Sequence, residues 1–199
     1  MTDLMNRPHP DCPTDCPGTA ERGVDRHEPG TGERLNRLRA AVLGANDGIV
    51  STAAVVVGVA GATSDQTTIA MSGLAAVIGG AVSMALGEYV SVSSQRDSER
   101  AMGLVEEMQV NPWSAAIASF LSFLLGAALP FATALLAPAS WRIAAIFVLT
   151  LVALALTGAL SAKLGEAPVA RSVTRIVVGG TIALAATFAI GSLFGANVG

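Results

Sequence analysis

The sequence predicts an all-α polytopic membrane protein with five transmembrane helices per subunit and a cytosolic N-terminus. Three observations predict it. Of the 199 residues, 52% are apolar and only 14% charged, with a mean hydropathy of +0.57; a soluble domain carries about a quarter charged residues. Charge is absent from Met108 to Trp141, from Ile143 to Ala162 and from Ile176 to Gly199, and about 20 apolar residues suffice to cross a hydrocarbon core of roughly 30 Å. The cations that remain cluster at one set of span ends. The runs do not alternate as barrel strands do, and helices satisfy every backbone polar group within lipid.

Residues 1–33 read as a disordered cytosolic tail rich in proline, glycine and charge. They hold no apolar core of the kind a secretory signal needs. Both cysteines, Cys12 and Cys16, lie there, so no disulfide framework is expected. His9, Asp11, Asp15 and His27 accompany them. A metal-collecting arm is one reading and a plain tail the other, because Cys-x3-Cys around a proline is no closed zinc spacing.

Residues 34–199 form the membrane domain, with spans expected at about 40–62, 67–92, 113–137, 142–162 and 173–196 by hydropathy. The first follows Arg34, Arg37 and Arg39, and carries Asp47 within "GANDGIV" together with Gly44 and Gly48. The second carries Met84 and Glu88, and Ala75, Gly79, Ser83 and Gly87 recur at every fourth position. Small-residue stripes let helices approach closely in lipid, inside one bundle or across a dimer seam. The third contains Pro130, which predicts a kink. The fourth is bounded by Arg142 and Lys163, and the fifth is free of charge beyond Arg175. An odd number of spans and no internal period argue against two equal inverted halves.

With the N-terminus inside, the inner flanks hold Arg34, Arg37, Arg39, Arg96, Arg100, Lys163, Arg171 and Arg175, and the outer flanks Arg142 alone. That asymmetry follows the positive-inside rule. Asp47 then lies eight residues beyond Arg39, and Glu88 eight residues before Arg96. At 1.5 Å per residue both carboxylates are expected about 12 Å below the cytosolic charge layer. An ionised acid near the bilayer centre costs roughly 2.5–3.5 kcal/mol, so intramembrane acids mark ion or proton pathways. No lysine or arginine of another span is expected at matching depth, which leaves an external cation as counter-charge. Met84 shares the helix face of Glu88 one turn deeper. Carboxylate with thioether suits a divalent transition metal. Two local alternatives stand beside this: a helix break at Asn46 and Asp47, and a protonated Glu88 bonded to a neighbouring helix.

"LGANDGIVSTAAVVVGVAGA" (43–62) and "AVSMALGEYVSVSSQRDSERA" (81–101), continued by "NPWSAAIASFLSFLLGAALPF" (111–131), resemble the vacuolar iron transporter family, including its calcium-cross-complementer and nodulin-like members. The resemblance covers about 34–199 and is most specific in the first two blocks. It implies a homodimer with five membrane helices per subunit, exporting cytosolic ferrous iron, and often manganese, in exchange for protons. The implied path lies between subunits, with the family's aspartate on Asp47, its methionine on Met84 and its glutamate on Glu88. The sequence departs from the family between the second and third spans. A long cytosolic insert whose glutamates gather metal is expected there, but eighteen residues run from Arg96 to Trp113. Glu99 and Glu106, two turns apart on one face, either retain a weak cytosolic metal site or belong to a solvated connecting helix.

The leading reading is therefore a proton-coupled exporter of Fe2+ or Mn2+ with no resident cofactor, its partners a second copy and the lipid bilayer, in a bacterial plasma membrane. A non-transporting membrane anchor or metal sensor of the same fold is the alternative, and a transporter specialised for another metal such as manganese a third. There is no nucleophile–base constellation and no Gly-rich phosphate loop with a lysine, so no enzyme is expected. The short basic patches serve topology and do not imply nucleic acid.

Overall fold

The computed structural model describes residues 31–104 and 109–198. The N-terminal cysteines and histidines and Glu106 lie outside the described residues. Five helices follow in order: α1 Thr31–Ala62, α2 Gln66–Ala101, α3 Pro112–Leu136, α4 Arg142–Leu164 and α5 Val169–Val198. All five are long and apolar enough to cross a membrane. α1 and α2 exceed their expected spans at the polar end. α2 has 36 residues, about 54 Å at 1.5 Å per residue, against a core of roughly 30 Å.

Short polar segments set the helix starts. Asp65 caps α2, accepting from the Thr68 amide at 2.7 Å and the Thr68 hydroxyl at 2.6 Å. Asn111 caps α3 through the amides of Trp113 and Ser114, with Pro112 in the first turn where its missing N–H costs nothing. α3 continues through the buried Pro130 to Leu136. At the far end Arg142 is buried, and its guanidinium donates to the Ala137 carbonyl at 3.4 Å and to the Gln66 side chain.

α1 is the central helix, packed against all four others. Beneath its second half, Ala53, Val56 and Val57 meet Ile69, Ala134, Ile146 and Leu184 in one buried cluster drawn from every helix. At the other end Ala40 packs with Val92, Val110 and Ala115. Between them Phe123 fills the α2–α3 seam with Ala81 and Ala127.

The two small-residue stripes have different fates. On α1, a Cβ at Gly44 would meet the Ser119 carbonyl oxygen at 2.5 Å, and one at Gly48 would strike the Phe123 carbonyl oxygen. Those glycines let α3 approach within the bundle. On α2, Ala75, Gly79, Ser83 and Gly87 are exposed, and a Cβ at Gly79 or Gly87 would meet nothing within 4 Å.

Candidate functional site

Four contacts fix the antiparallel register of α1 and α2. Glu33 and Arg96 line one small pocket. Arg39 grips Glu88. The Phe123 ring lies on Gly80 while its carbonyl lies against Gly48, and Val56 packs beside Gly73. Each step along α1 thus matches an equal step back along α2, which puts Ala40 level with Glu88 and Asp47 level with Gly80.

Along this pair runs an open groove of about 480 Å³. α1 contributes Leu43, Asp47, Ser51 and Val55, one residue per turn, and α2 contributes Gly80, Met84, Gly87 and Glu88, with Phe123 behind. The structure therefore brings Asp47, Met84 and Glu88 onto one surface. They form a ladder: Met84 lies one turn from Glu88, and Asp47 sits level with the next turn. Glycine at 87 keeps the α2 wall low beside Glu88, whereas the Phe123 ring fills the space over Gly80.

Two expectations about the acids do not hold. They do not share one depth. Asp47 lies level with Gly80, eight residues from Glu88, so the two are staggered by about 12 Å along the groove. The equal-depth expectation took Arg39 and Arg96 as one plane, whereas Arg96 lies opposite Glu33, beyond Arg39 by nearly two turns. Nor does Glu88 lack a cation. The Arg39 guanidinium donates to its Oε1 at 2.5 Å, and the same terminal nitrogen donates to Asn36 Oδ1 at 3.1 Å. Glu88 is 6% exposed and Arg39 53% exposed, the geometry of a long side chain that stays wet while its head reaches a buried acid. Sequence reading assigned Arg39 to topology alone. Its position as the innermost cation before the first span was the one available signal.

Asp47 differs. It is exposed on the groove wall, and its carboxylate has no hydrogen-bond or ion-pair partner among the described residues. α1 passes through it without a break, which removes the helix-break alternative; the Ser51 hydroxyl donates to its backbone carbonyl at 2.5 Å. The neighbouring Asn46 faces the other way and accepts from the Thr157 hydroxyl at 2.6 Å. Among the described residues no three His, Cys, Asp or Glu side chains gather as a metal cage. Within one chain the groove thus offers staggered single ligands.

Glu99 lies apart from the groove and is occupied. Its Oε2 accepts from the Val110 amide at 3.0 Å and its Oε1 from the Gln95 side-chain amide at 2.9 Å. Gln109 accepts from Arg100 at 3.2 Å and donates to the Leu104 carbonyl at 2.9 Å. These bonds tie the end of α2 to the start of α3. Tyr89, next to Glu88, packs its ring 4.8 Å from that of Trp113.

Five membrane-length helices, two of them lining a groove that carries two carboxylates, define an all-α polytopic membrane protein. Comparison with known proteins narrows the class. A family model described as the VIT family matches residues 38–110 and 99–192. The two matches overlap at residues 99–110, at the end of α2 and its connection to α3. "Vacuolar iron transporter homolog 1" of Arabidopsis thaliana is 44% identical over 173 residues, covering 83% of this chain and 86% of that protein. "Vacuolar iron transporter homolog 1" of Oryza sativa subsp. japonica is 43% identical over 194 residues, covering 88% and 84%. A more distant relative, "Vacuolar iron transporter homolog 2.1" of Arabidopsis thaliana, is 37% identical over 183 residues, covering 82% and 84%. The chain belongs to the VIT family. It is a multi-pass membrane protein and not an enzyme. These relatives are plant proteins named vacuolar, and they lend the expected bacterial plasma membrane no support.

Proposed function

We propose that this chain carries divalent transition metal, ferrous iron first and manganese second, out of the cytosol in exchange for protons. The observation that carries the reading is Asp47, a carboxylate with no partner among the described residues, on the wall of a groove between two membrane-length helices. Such a group needs a cation or a proton. Met84 on the same wall adds a thioether, which favours transition ions over calcium or magnesium. Iron itself comes from the names of the relatives.

In this reading the ion enters at Glu88, passes Met84 and reaches Asp47, and protons return through the same acids. Two acids balance either one divalent ion or two protons. Arg39 holds Glu88 when no metal is there and yields as the ion arrives. The groove opens to the side, so a second copy closes it: the bare α2 stripe of Ala75, Gly79, Ser83 and Gly87 packs against its equivalent, and four acids face one path. The loop cations set the N-terminus and the 102–111 connection in the cytosol.

Purified protein in proteoliposomes, with an imposed pH gradient and an internal pH dye, tests this. Ferrous iron or manganese flux with opposite proton flux, lost in Asp47→Ala, is expected. Equal flux in wild type and Asp47→Ala, at equal reconstitution, refutes it. The short α2–α3 connection favours a second reading, a membrane anchor or metal sensor, which predicts no flux from folded protein.

A further inference from the structure

Adjoining the groove, with Leu43 on the wall of both, lies a second cavity, of about 510 Å³, between the start of α1, the end of α4 and the start of α5. Its walls are of two kinds. Leu35, Val42, Leu164 and Ile176 are apolar, while Arg39, Arg175 and the serines 161 and 172 are polar. α4 ends at Leu164 and α5 begins at Val169, so the cavity sits at the membrane edge, on the side the loop charges mark as cytosolic.

Its charge is unbalanced. Glu88 offsets Arg39, but Arg175 has no ion-pair partner among the described residues. The same holds for Lys163 and Arg171 beside the cavity, where Glu166 in the α4–α5 turn is the acid nearest in sequence. A cavity lined by Arg39, Arg175 and apolar side chains at this depth fits a molecule with an anionic head and a hydrocarbon tail. Basic pockets between membrane helices on the cytosolic side hold phosphate-bearing lipid heads, and arginine matches phosphate oxygens with paired donors.

We propose that this cavity binds an anionic phospholipid, its phosphate held by Arg39 and Arg175 and its acyl chain laid along Leu35, Leu164 and Ile176. Arg39 also holds Glu88, so the headgroup and the groove carboxylate draw on the same guanidinium. This site stands whether or not the groove carries metal.

Native mass spectrometry of the purified protein in detergent tests it, with phosphatidylglycerol and phosphatidylcholine of identical chains titrated separately. Phosphatidylglycerol is expected to bind more tightly. Arg175→Gln should weaken it about fivefold, the loss of one basic residue at a membrane surface. Arg175→Lys should restore most of that loss, and Arg171→Gln, outside the cavity wall, should change it less than twofold. Equal affinity for the two lipids, or unchanged phosphatidylglycerol binding in Arg175→Gln, overturns the proposal. So does inorganic phosphate displacing the lipid at equal concentration, which would mark a free-phosphate site. Where Arg175→Gln does not fold, Leu164→Trp narrows the cavity from its apolar side; a fall in phosphatidylglycerol binding then supports the site and unchanged binding overturns it.

Discussion

Replacing Arg39 by Gln and Glu88 by Gln, singly and together, measures the ion pair that holds the start of the groove. The two ends of the pair are unequal: Glu88 is 6% exposed and Arg39 53% exposed. Opposite unit charges in contact attract by about 4 kcal/mol at an effective dielectric of 20. Desolvation of the carboxylate and screening of the half-wet guanidinium remove much of this, leaving a coupling of about 1–2 kcal/mol. The single variants should not be equal. Glu88→Gln leaves a neutral amide in the buried position and an arginine that turns to water, at about 1 kcal/mol. Arg39→Gln strands a buried carboxylate, at about 2–3 kcal/mol. Reversible unfolding in mixed micelles with a rising fraction of denaturing detergent reads this out by far-UV circular dichroism. Trp113 fluorescence gives a local signal, because its ring packs on Tyr89 beside Glu88. If Glu88→Gln costs more than Arg39→Gln, or the double-mutant coupling falls below about 0.5 kcal/mol, the pair does not hold this end of the groove.

Gly48→Ala should destabilise the chain by about 1–3 kcal/mol, since its Cβ enters the Phe123 carbonyl. Gly79→Ala meets nothing within 4 Å and should leave the single-copy fold intact while lowering the dimer fraction in cross-linking or analytical ultracentrifugation. The Asp65 carboxyl is held below the ordinary carboxylate range by the hydroxyl and amide of Thr68. A depressed folded-state pKa contributes stability that is fully present above the unfolded value and lost as pH falls through the folded value. Wild type and Asp65→Ala should therefore differ in thermal midpoint at pH 7 and converge on acidification below the unfolded carboxylate range. Glu99→Ala removes the acceptor of the Val110 amide, costs about 1–2 kcal/mol, and should speed limited proteolysis between 102 and 110 without changing helix content.

The helices themselves were legible because the constraint that makes them is local. A run of about 20 apolar residues in lipid satisfies its backbone only as a helix, so five such runs determine five helices before any packing is known. The caps Asp65 and Asn111 act just as locally, on amides two or three residues away, although neither was expected as a helix start. Asp47, Met84 and Glu88 could be picked out singly because an acid among apolar residues is costly wherever the chain goes.

What each of those residues faces was decided by the tertiary structure. Helical periodicity assigns Gly48 and Gly79 to stripes of the same kind, yet one is pressed against the α3 backbone and the other is bare. The difference depends on which helix lies alongside. The stagger of Asp47 and Glu88 depends on the α1–α2 register, which is set by Phe123 on Gly80 and Val56 beside Gly73, contacts far apart in the chain. Arg39 and Glu88 are separated by 49 positions, and no local rule joins them. Sequence by itself determined the elements and the unusual residues, because their energies are set by lipid and by near neighbours. Only the packing of α2 along α1 decided that one acid would meet an arginine and the other stand open in the groove.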